Sequence, residues 1–155
     1  MKVLFYSPYL HILGGGEYHL FSFAHCLAQN HQVYIVCQDR HIIIKAQHRF
    51  NLDLSNLSTI PFLPSRFGLK QFDVLFFVSD GSIPFLPISQ SMLFFMSPFH
   101  NVHGRSFINQ LKLKFINHVV CNSAYTKKFI DQEFGINSQV IYPAVNLPKL
   151  TPTPK

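Results

Sequence analysis

Three consecutive glycines followed by an acidic residue are the first group in this sequence whose spacing indicates chemistry. Gly14, Gly15 and Gly16 follow a short apolar run over Lys2 to Pro8, and Glu17 comes directly after them. Residues without a Cβ let backbone N–H groups approach a phosphate at the positive end of a helix. The run therefore predicts either a phosphate-binding turn at a helix start or, with equal weight, an ordinary tight turn.

Two other phosphate-binding motifs place glycines between a strand and a helix. A dinucleotide-binding turn needs Gly-x-Gly-x-x-Gly, and after Gly14 and Gly16 the third position is His19. Asp39 ends the next predicted strand, where a ribose-binding acid would lie, so an NAD(P)-binding domain stays open as an alternative. A Walker loop is excluded because neither Gly-Lys-Ser nor Gly-Lys-Thr follows the glycines.

Histidine and cysteine give weaker signals. His100 and His103 are three residues apart, but a pair without a third ligand is a weak indication of metal, and we predict no metal site. Cys26, Cys37 and Cys121 are an odd, scattered set without a Cys-x-x-Cys pair. Neither a disulfide framework nor a zinc ribbon is expected, and a reducing compartment is the default.

The scaffold for these residues is predicted by alternating apolar patterns. Short runs without polar alternation are typical of parallel strands buried on both faces, and they alternate with stretches of helical spacing. The predicted strands are Lys2 to Pro8, Gln32 to Gln38, Leu57 to Leu63, Asp73 to Ser79, Ser91 to Ser97, His118 to Asn122 and Gln139 to Tyr142. The predicted helices are the stretch containing Leu20, Phe23, Ala24 and Leu27, then His41 to Phe50, Arg105 to Asn117 and Ala124 to Phe134. We predict an α/β fold: a Rossmann-like, open, mostly parallel sheet with helices on both faces.

The predicted site lies at one edge of this sheet. In doubly wound sheets, ligands bind beyond the carboxyl ends of the strands. Four connections should therefore meet at that rim: Tyr9 to Glu17, Asp80-Gly81, Pro98 to His103 and Asn122-Ser123.

Three stretches of the sequence together resemble a known family. Tyr6-Ser7-Pro8, followed by Gly14-Gly15-Gly16-Glu17, is similar to a proline and Gly-Gly-x-Glu at a first strand-to-helix turn. Val119 to Lys128 contains Asn-Ser-Ala-Tyr-Thr, with Phe134-Gly135 behind it, and Val140 to Asn146 contains Ile-Tyr-Pro-Ala-Val. In this order they resemble the amino-terminal domain of a GT-B glycosyltransferase of retaining family four. The resemblance covers nearly the whole chain.

The resemblance implies that this chain is one half of an enzyme. Residues 1–146 would form the acceptor-side domain, and 147–155 would be a proline-rich linker towards a donor domain that these 155 residues do not contain. The whole enzyme would move a sugar from a nucleotide-sugar co-substrate to a glycan or lipid-linked acceptor, without a further cofactor. We expect this chain to be inactive without the donor half, which could be a further domain or a separate chain.

The resemblance also implies particular site residues. Gly14, Gly15, Gly16 and Glu17 would contact the donor diphosphate. The histidine of many members aligns with Met96, which cannot accept a proton, and His100 is the candidate catalytic substitute. Transfer of this type is described as front-face, with the donor diphosphate taking the acceptor proton, so a protein base is not strictly required. The candidate acceptor-binding residues are Tyr9, His11, Asp80, His103, Asn122 and Ser123.

Composition and charge limit the partners. Apolar residues make up 48% of the chain and charged residues 13%, which excludes a disordered chain, and the net charge of +6 favours an acidic partner. Nucleic acid is set aside because most of the phenylalanines fall in predicted strands and core faces. Basic residues beside Leu113 could instead rest against an anionic membrane or serve only solubility: Arg105, Lys112, Lys114, Lys127 and Lys128.

The cellular location follows from the apolar segments. The run before Pro8 is too short for a signal peptide, and three prolines interrupt Gly81 to Phe99, the least charged stretch. We expect a cytoplasmic protein, with peripheral contact to the inner face of the membrane as an option. A non-catalytic module of the same fold that binds a partner or a membrane stays open as an alternative function.

Overall fold

A computed structural model describes residues 1–86 and 88–143 of the chain. The predicted linker over 147–155 lies outside the described residues. The strands are Lys2–Tyr6 (β1), Gln32–Val36 (β2), Leu57–Ile60 (β3), Val74–Ser79 (β4), Gln90–Phe95 (β5), His118–Cys121 (β6) and Gln139–Val140 (β7). The helices are Gly15–Ala28 (α1), His41–Phe50 (α2), Arg66–Leu69 (α3), Phe107–Leu113 (α4) and Ala124–Phe134 (α5), with a 3-10 turn over Leu10–Ile12.

The seven strands of the described residues form one parallel sheet in the order β3-β2-β1-β4-β5-β6-β7. Right-handed crossovers in this order place α1 and α2 on one face and α3, α4 and α5 on the other. The carboxyl ends of all strands therefore meet at one edge, which we call the rim. The predicted Rossmann-like α/β fold is confirmed.

The core consists of two apolar layers, one on each face of the sheet. Phe5, Phe76 and Phe94 lie in the layer under α1, where their rings stack across neighbouring strands at centroid distances of 4.5 and 5.7 Å. Ile130 and Phe134 of α5 belong to the opposite layer. Central strands buried on both sides explain why their sequences show no polar alternation.

His19 lies inside the first of these layers. Its side chain is 2% exposed, between α1 and the sheet, with ring centroids 4.8 Å from Phe23 and 6.0 Å from Phe94. Within residues 1–86 and 88–143, neither ring nitrogen has a hydrogen-bond partner, and burial lowers the pKa of His19. The imidazole is therefore an unpaired polar group in an aromatic environment, and it is held neutral at pH 7.

Helix α4 differs most from its prediction. It covers seven residues rather than Arg105 to Asn117, beginning after Ser106, whose Oγ accepts the Asn109 N–H. None of its residues is fully buried, and three of its apolar residues are exposed, whereas those of an amphipathic surface helix normally face the core: Phe107, Ile108 and Leu111. The 3-10 turn and α3 were not predicted, because elements of three or four residues are too short to show a period.

Replacing His19 by phenylalanine should stabilise the fold and reduce its sensitivity to acid. The pKa of His19 is lowered from 6.5 in the folded state, so the unfolded chain binds the proton more readily, and stability falls as pH drops below 6.5. Removing the unpaired polar group should add roughly 1 kcal/mol to the free energy of unfolding.

Urea unfolding above and below pH 6.5 measures both effects. His48→Phe, at an exposed position of α2, is the matched control and should keep the pH dependence of the original chain. A loss of stability in His19→Phe at both pH values would contradict the account.

Candidate functional site

The glycine run lies at the start of α1, on the rim. Gly14 is the N-cap, and its N–H donates to the Glu17 carboxylate at 2.9 Å. The first helical hydrogen bond runs from Tyr18 N–H to the Gly14 carbonyl. Within the described residues, no acceptor is found for the N–H groups of Gly15 and Gly16. These two amides are available to a ligand at the positive end of the helix.

The fold itself does not require glycine at position 15. None of the three glycines has a positive φ; in the described chain, only Gly81 and Gly135 do among glycines. A Cβ built on Gly15 would meet nothing within 4 Å. The space that a side chain at position 15 would occupy is therefore open and is not filled by the protein's own side chains.

Met96 lies next to this turn. A Cβ built on Gly16 would stand 3.6 Å from the Met96 Cγ. The Met96 carbonyl accepts a 2.7 Å hydrogen bond from the Asn122 side-chain amide, which ties the end of β5 to the end of β6. The position where the resemblance expects a histidine is thus beside the glycine turn, but a thioether occupies it and cannot carry a proton.

Asn122 and Ser123 use their polar groups within the fold. The Asn122 Oδ1 accepts from the Thr126 hydroxyl at 2.8 Å. The Ser123 Oγ accepts the Thr126 N–H at 3.1 Å and so caps α5. Such a cap typically contributes about 1 kcal/mol, so the residues have a clear structural role.

A cleft of about 420 Å³ lies beyond the ends of β1, β2 and β3. Its polar lining consists of Ser7, His11, Cys37, Gln38 and Asp39. The Cys37 thiol donates a hydrogen bond to the Asp39 carbonyl, and burial raises its pKa. This cysteine therefore lines the cleft as a neutral thiol rather than as a nucleophile. Of the predicted acceptor-binding residues, His11 lines this cleft.

The sequence prediction missed most of this cleft. Ser7 directly follows β1 and Gln38 is the second residue after β2, so the rule for carboxyl strand ends could have identified them. Tyr9 is exposed on the same connection as His11, and its N–H donates to the Ser7 Oγ.

Asp80 forms a turn at the end of β4. Its Oδ1 accepts the N–H and the hydroxyl of Ser82, and the hydroxyl hydrogen bond is the main cause of its lowered pKa. Gly81 follows with φ +100°, and a Cβ there would lie 3.0 Å from the Phe99 ring. The carboxylate is exposed and ionised, and its neighbour must be glycine.

His100 and His103 lie away from the glycine turn. The His100 ring packs edge-on against Phe129, in the middle of α5, at 4.6 Å. Both histidines line a cleft of about 670 Å³ beside Glu133, in the last turn of α5. Phe99 of the same connection packs against Gly81 at the rim. Because α5 starts at the rim and runs away from it, the predicted rim position does not hold for the two histidines.

The connection is held there by Glu133. Its carboxylate accepts the N–H groups of Asn101, Val102 and Gly104 at 3.1 to 3.2 Å. These hydrogen bonds, the one from Gly104 first, lower the pKa of Glu133. The carboxylate therefore fixes the path of the chain between β5 and α4.

No family model and no curated protein matches this chain. The fold and the rim define the class: a Rossmann-like α/β domain with an open glycine turn beside a polar cleft. Among the described residues, no group of three His, Cys, Asp or Glu side chains is arranged to hold a metal ion. In the same part of the chain, no helix combines the length and the apolar character needed to cross a bilayer.

Glu133→Ala should release the segment from Asn101 to Gly104 while leaving the rim unchanged. In the original chain these hydrogen bonds lower the pKa of the Glu133 carboxyl from its ordinary value of 4.5, so they should persist as pH falls through 4.5 and break at lower pH.

Amide chemical shifts of these residues, followed by NMR against pH, measure the transition. Gln132→Ala, on the same turn of α5, is the control and should leave the titration in place. Unchanged amide shifts in Glu133→Ala would show that other contacts hold the segment.

Proposed function

We propose that this chain is the acceptor-side domain of a retaining GT-B glycosyltransferase. The enzyme would transfer a sugar from a nucleotide-sugar to a glycan or lipid-linked acceptor. A donor-binding domain, on the same or another chain, would face the rim and close the site. The proposal comes from the three sequence stretches and from the geometry of the rim.

The open amides of Gly15 and Gly16 are the single observation that carries the proposal. Backbone N–H groups at a helix start bind phosphate oxygens and stabilise the charge that develops on a leaving diphosphate. The Glu17 carboxylate is occupied by the Gly14 N–H, so it holds the turn in shape rather than contacting the donor. The amide dipoles are then the groups that face an anionic ligand.

The neighbouring cleft suits a sugar acceptor. Ser7, His11, Gln38 and Asp39 offer hydroxyl, imidazole, amide and carboxylate groups, which together can donate to and accept from sugar hydroxyls. The cleft and the glycine turn share the loop after β1. An acceptor in the cleft would therefore lie next to a diphosphate at the turn.

The proton of the acceptor hydroxyl would leave with the donor diphosphate. Met96 cannot act as a base, and His100 lies beside α5 rather than at the turn. In this account the chain binds and orients both reactants, and its amides stabilise the phosphate that receives the proton. This account requires neither Met96 nor His100 to act as a general base.

An NAD(P)-binding domain is the second candidate. Asp39 lines the cleft at the end of β2, where a ribose hydroxyl would be bound. Against it, the third glycine of a dinucleotide turn allows close packing of helix on sheet, and here the His19 ring fills that space. The first candidate is therefore favoured.

NMR titration of the ¹⁵N-labelled chain tests the two candidates. Pyrophosphate and uridine diphosphate should shift the amides of Gly15 and Gly16, and a panel of saccharides should shift those of His11 and Gln38. Saturable shifts with NAD and none with saccharides would replace the proposal by the second candidate. No shift at Gly15 with any phosphate would overturn both.

Two substitutions at position 15 should separate folding from binding. Gly15→Ala should keep or raise stability, by up to about 1 kcal/mol, because its Cβ enters open space. Gly15→Asp should also fold, since a carboxylate at a helix start is favourable, but should weaken pyrophosphate binding at least about tenfold by repulsion.

Thermal unfolding and the NMR titration measure these effects. His48→Asp makes the same change in net charge at an exposed position of α2 and should leave the binding constant unchanged. Equal binding by Gly15→Asp and the original chain would count against the assignment.

A further inference from the structure

Three of the four apolar side chains of α4 project into solvent. Phe107 is 83% exposed and Ile108 is 64% exposed, and Leu111 lies one turn further on the same side. Phe115 continues this row beyond the end of the helix and is also exposed. A surface helix usually turns such residues towards the core, so this arrangement marks a surface with a binding role.

The exposed row continues onto α3. The Phe115 ring contacts the exposed Phe85 ring at 5.2 Å, and the Arg66 guanidinium lies 5.9 Å from the Phe85 ring centre. Next to Arg66, Phe67 is 79% exposed, with the Lys70 Nζ 5.9 Å from its ring centre. We call this region the α3–α4 surface; its apolar residues are Phe67, Phe85, Phe107, Ile108, Leu111 and Phe115.

The two chain segments that form most of this surface carry basic residues only. Residues 61–71 and 105–117 contain five basic residues and no Asp or Glu: Arg66, Lys70, Arg105, Lys112 and Lys114. The sequence prediction had grouped Leu113 and Lys127 with a basic surface. Leu113 is instead packed against the core, and Lys127 forms an ion pair with Asp131 at 2.6 Å on α5.

We propose that the α3–α4 surface docks on an anionic lipid bilayer. Protruding phenylalanines can enter the boundary between headgroups and acyl chains, while the neighbouring Lys and Arg side chains reach the anionic headgroups. A second copy of the chain fits less well, because two such surfaces face to face would bring the basic side chains of both copies together. The surface belongs to the helical layer of α3 and α4, so this proposal stands apart from the assignment of the rim.

A tryptophan at position 107 tests insertion directly. The chain contains no tryptophan, so Phe107→Trp creates a single fluorescent reporter at the most exposed residue of α4. With vesicles of phosphatidylcholine and phosphatidylglycerol, its emission should shift to the blue and be quenched by brominated acyl chains. Ile44→Trp, at an exposed position of α2 on the opposite face, should show neither change.

Two matched triple variants test the charge contribution. Arg66→Gln, Lys70→Gln and Lys114→Gln together should weaken vesicle binding on the order of a hundredfold. Arg40→Gln, Lys45→Gln and Arg49→Gln remove the same net charge around α2 and should weaken it far less. Flotation with vesicles measures both, and circular dichroism confirms that each variant is folded.

Each outcome supports or contradicts docking of the α3–α4 surface on a membrane. Vesicle binding that needs phosphatidylglycerol and is lost in Phe107→Ser with Ile108→Ser supports the proposal. Equal losses of vesicle binding in the two triple variants would show that binding depends only on net charge, and would overturn the proposal. No vesicle binding, or sedimentation showing that the chain dimerises through these phenylalanines, would overturn it as well.

Discussion

Parallel pairing of strands that are apolar on both sides is the constraint on which the molecule depends. Strand β4 pairs with β1 and β5, and five of its six residues are buried. Such strands can only be joined by crossovers that carry helices over both faces. Every strand then ends, and most helices start, at the same rim, which brings the glycine turn and the polar cleft together.

The rim contains groups that the fold uses and groups that it leaves unused. Asn122 and Ser123 bind Thr126, and the Asp80 carboxylate binds Ser82, so their hydrogen bonds hold turns and helix ends. The amides at the start of α1 and the exposed His11 have no such task. A ligand site needs a rigid framework and free polar groups. The first set of groups supplies the framework, and the second supplies the free polar groups.

The sequence predicted the strands well and the long connection after β5 poorly. Unbroken apolar runs and the glycine stop of α5 are local signals, and the structure agrees with them at each strand. The path of His100 to Gly104 depends on Glu133, about thirty residues away along the chain. No local pattern encodes such a contact, so His100 and His103 could not be placed from the sequence. The exposure of Phe107 was missed for a similar reason, because helical spacing shows which residues share a face but not what covers it.

The outer strands of the sheet are short. Strand β3 has four residues and β7, within the described chain, has two, whereas β4 and β5 have six each. A short outer strand presents few unpaired backbone groups, so it is a poor template for a strand of another molecule. Growth of the sheet by addition of further chains is thereby discouraged, and intermolecular contacts are directed to side chains instead of to the polypeptide backbone.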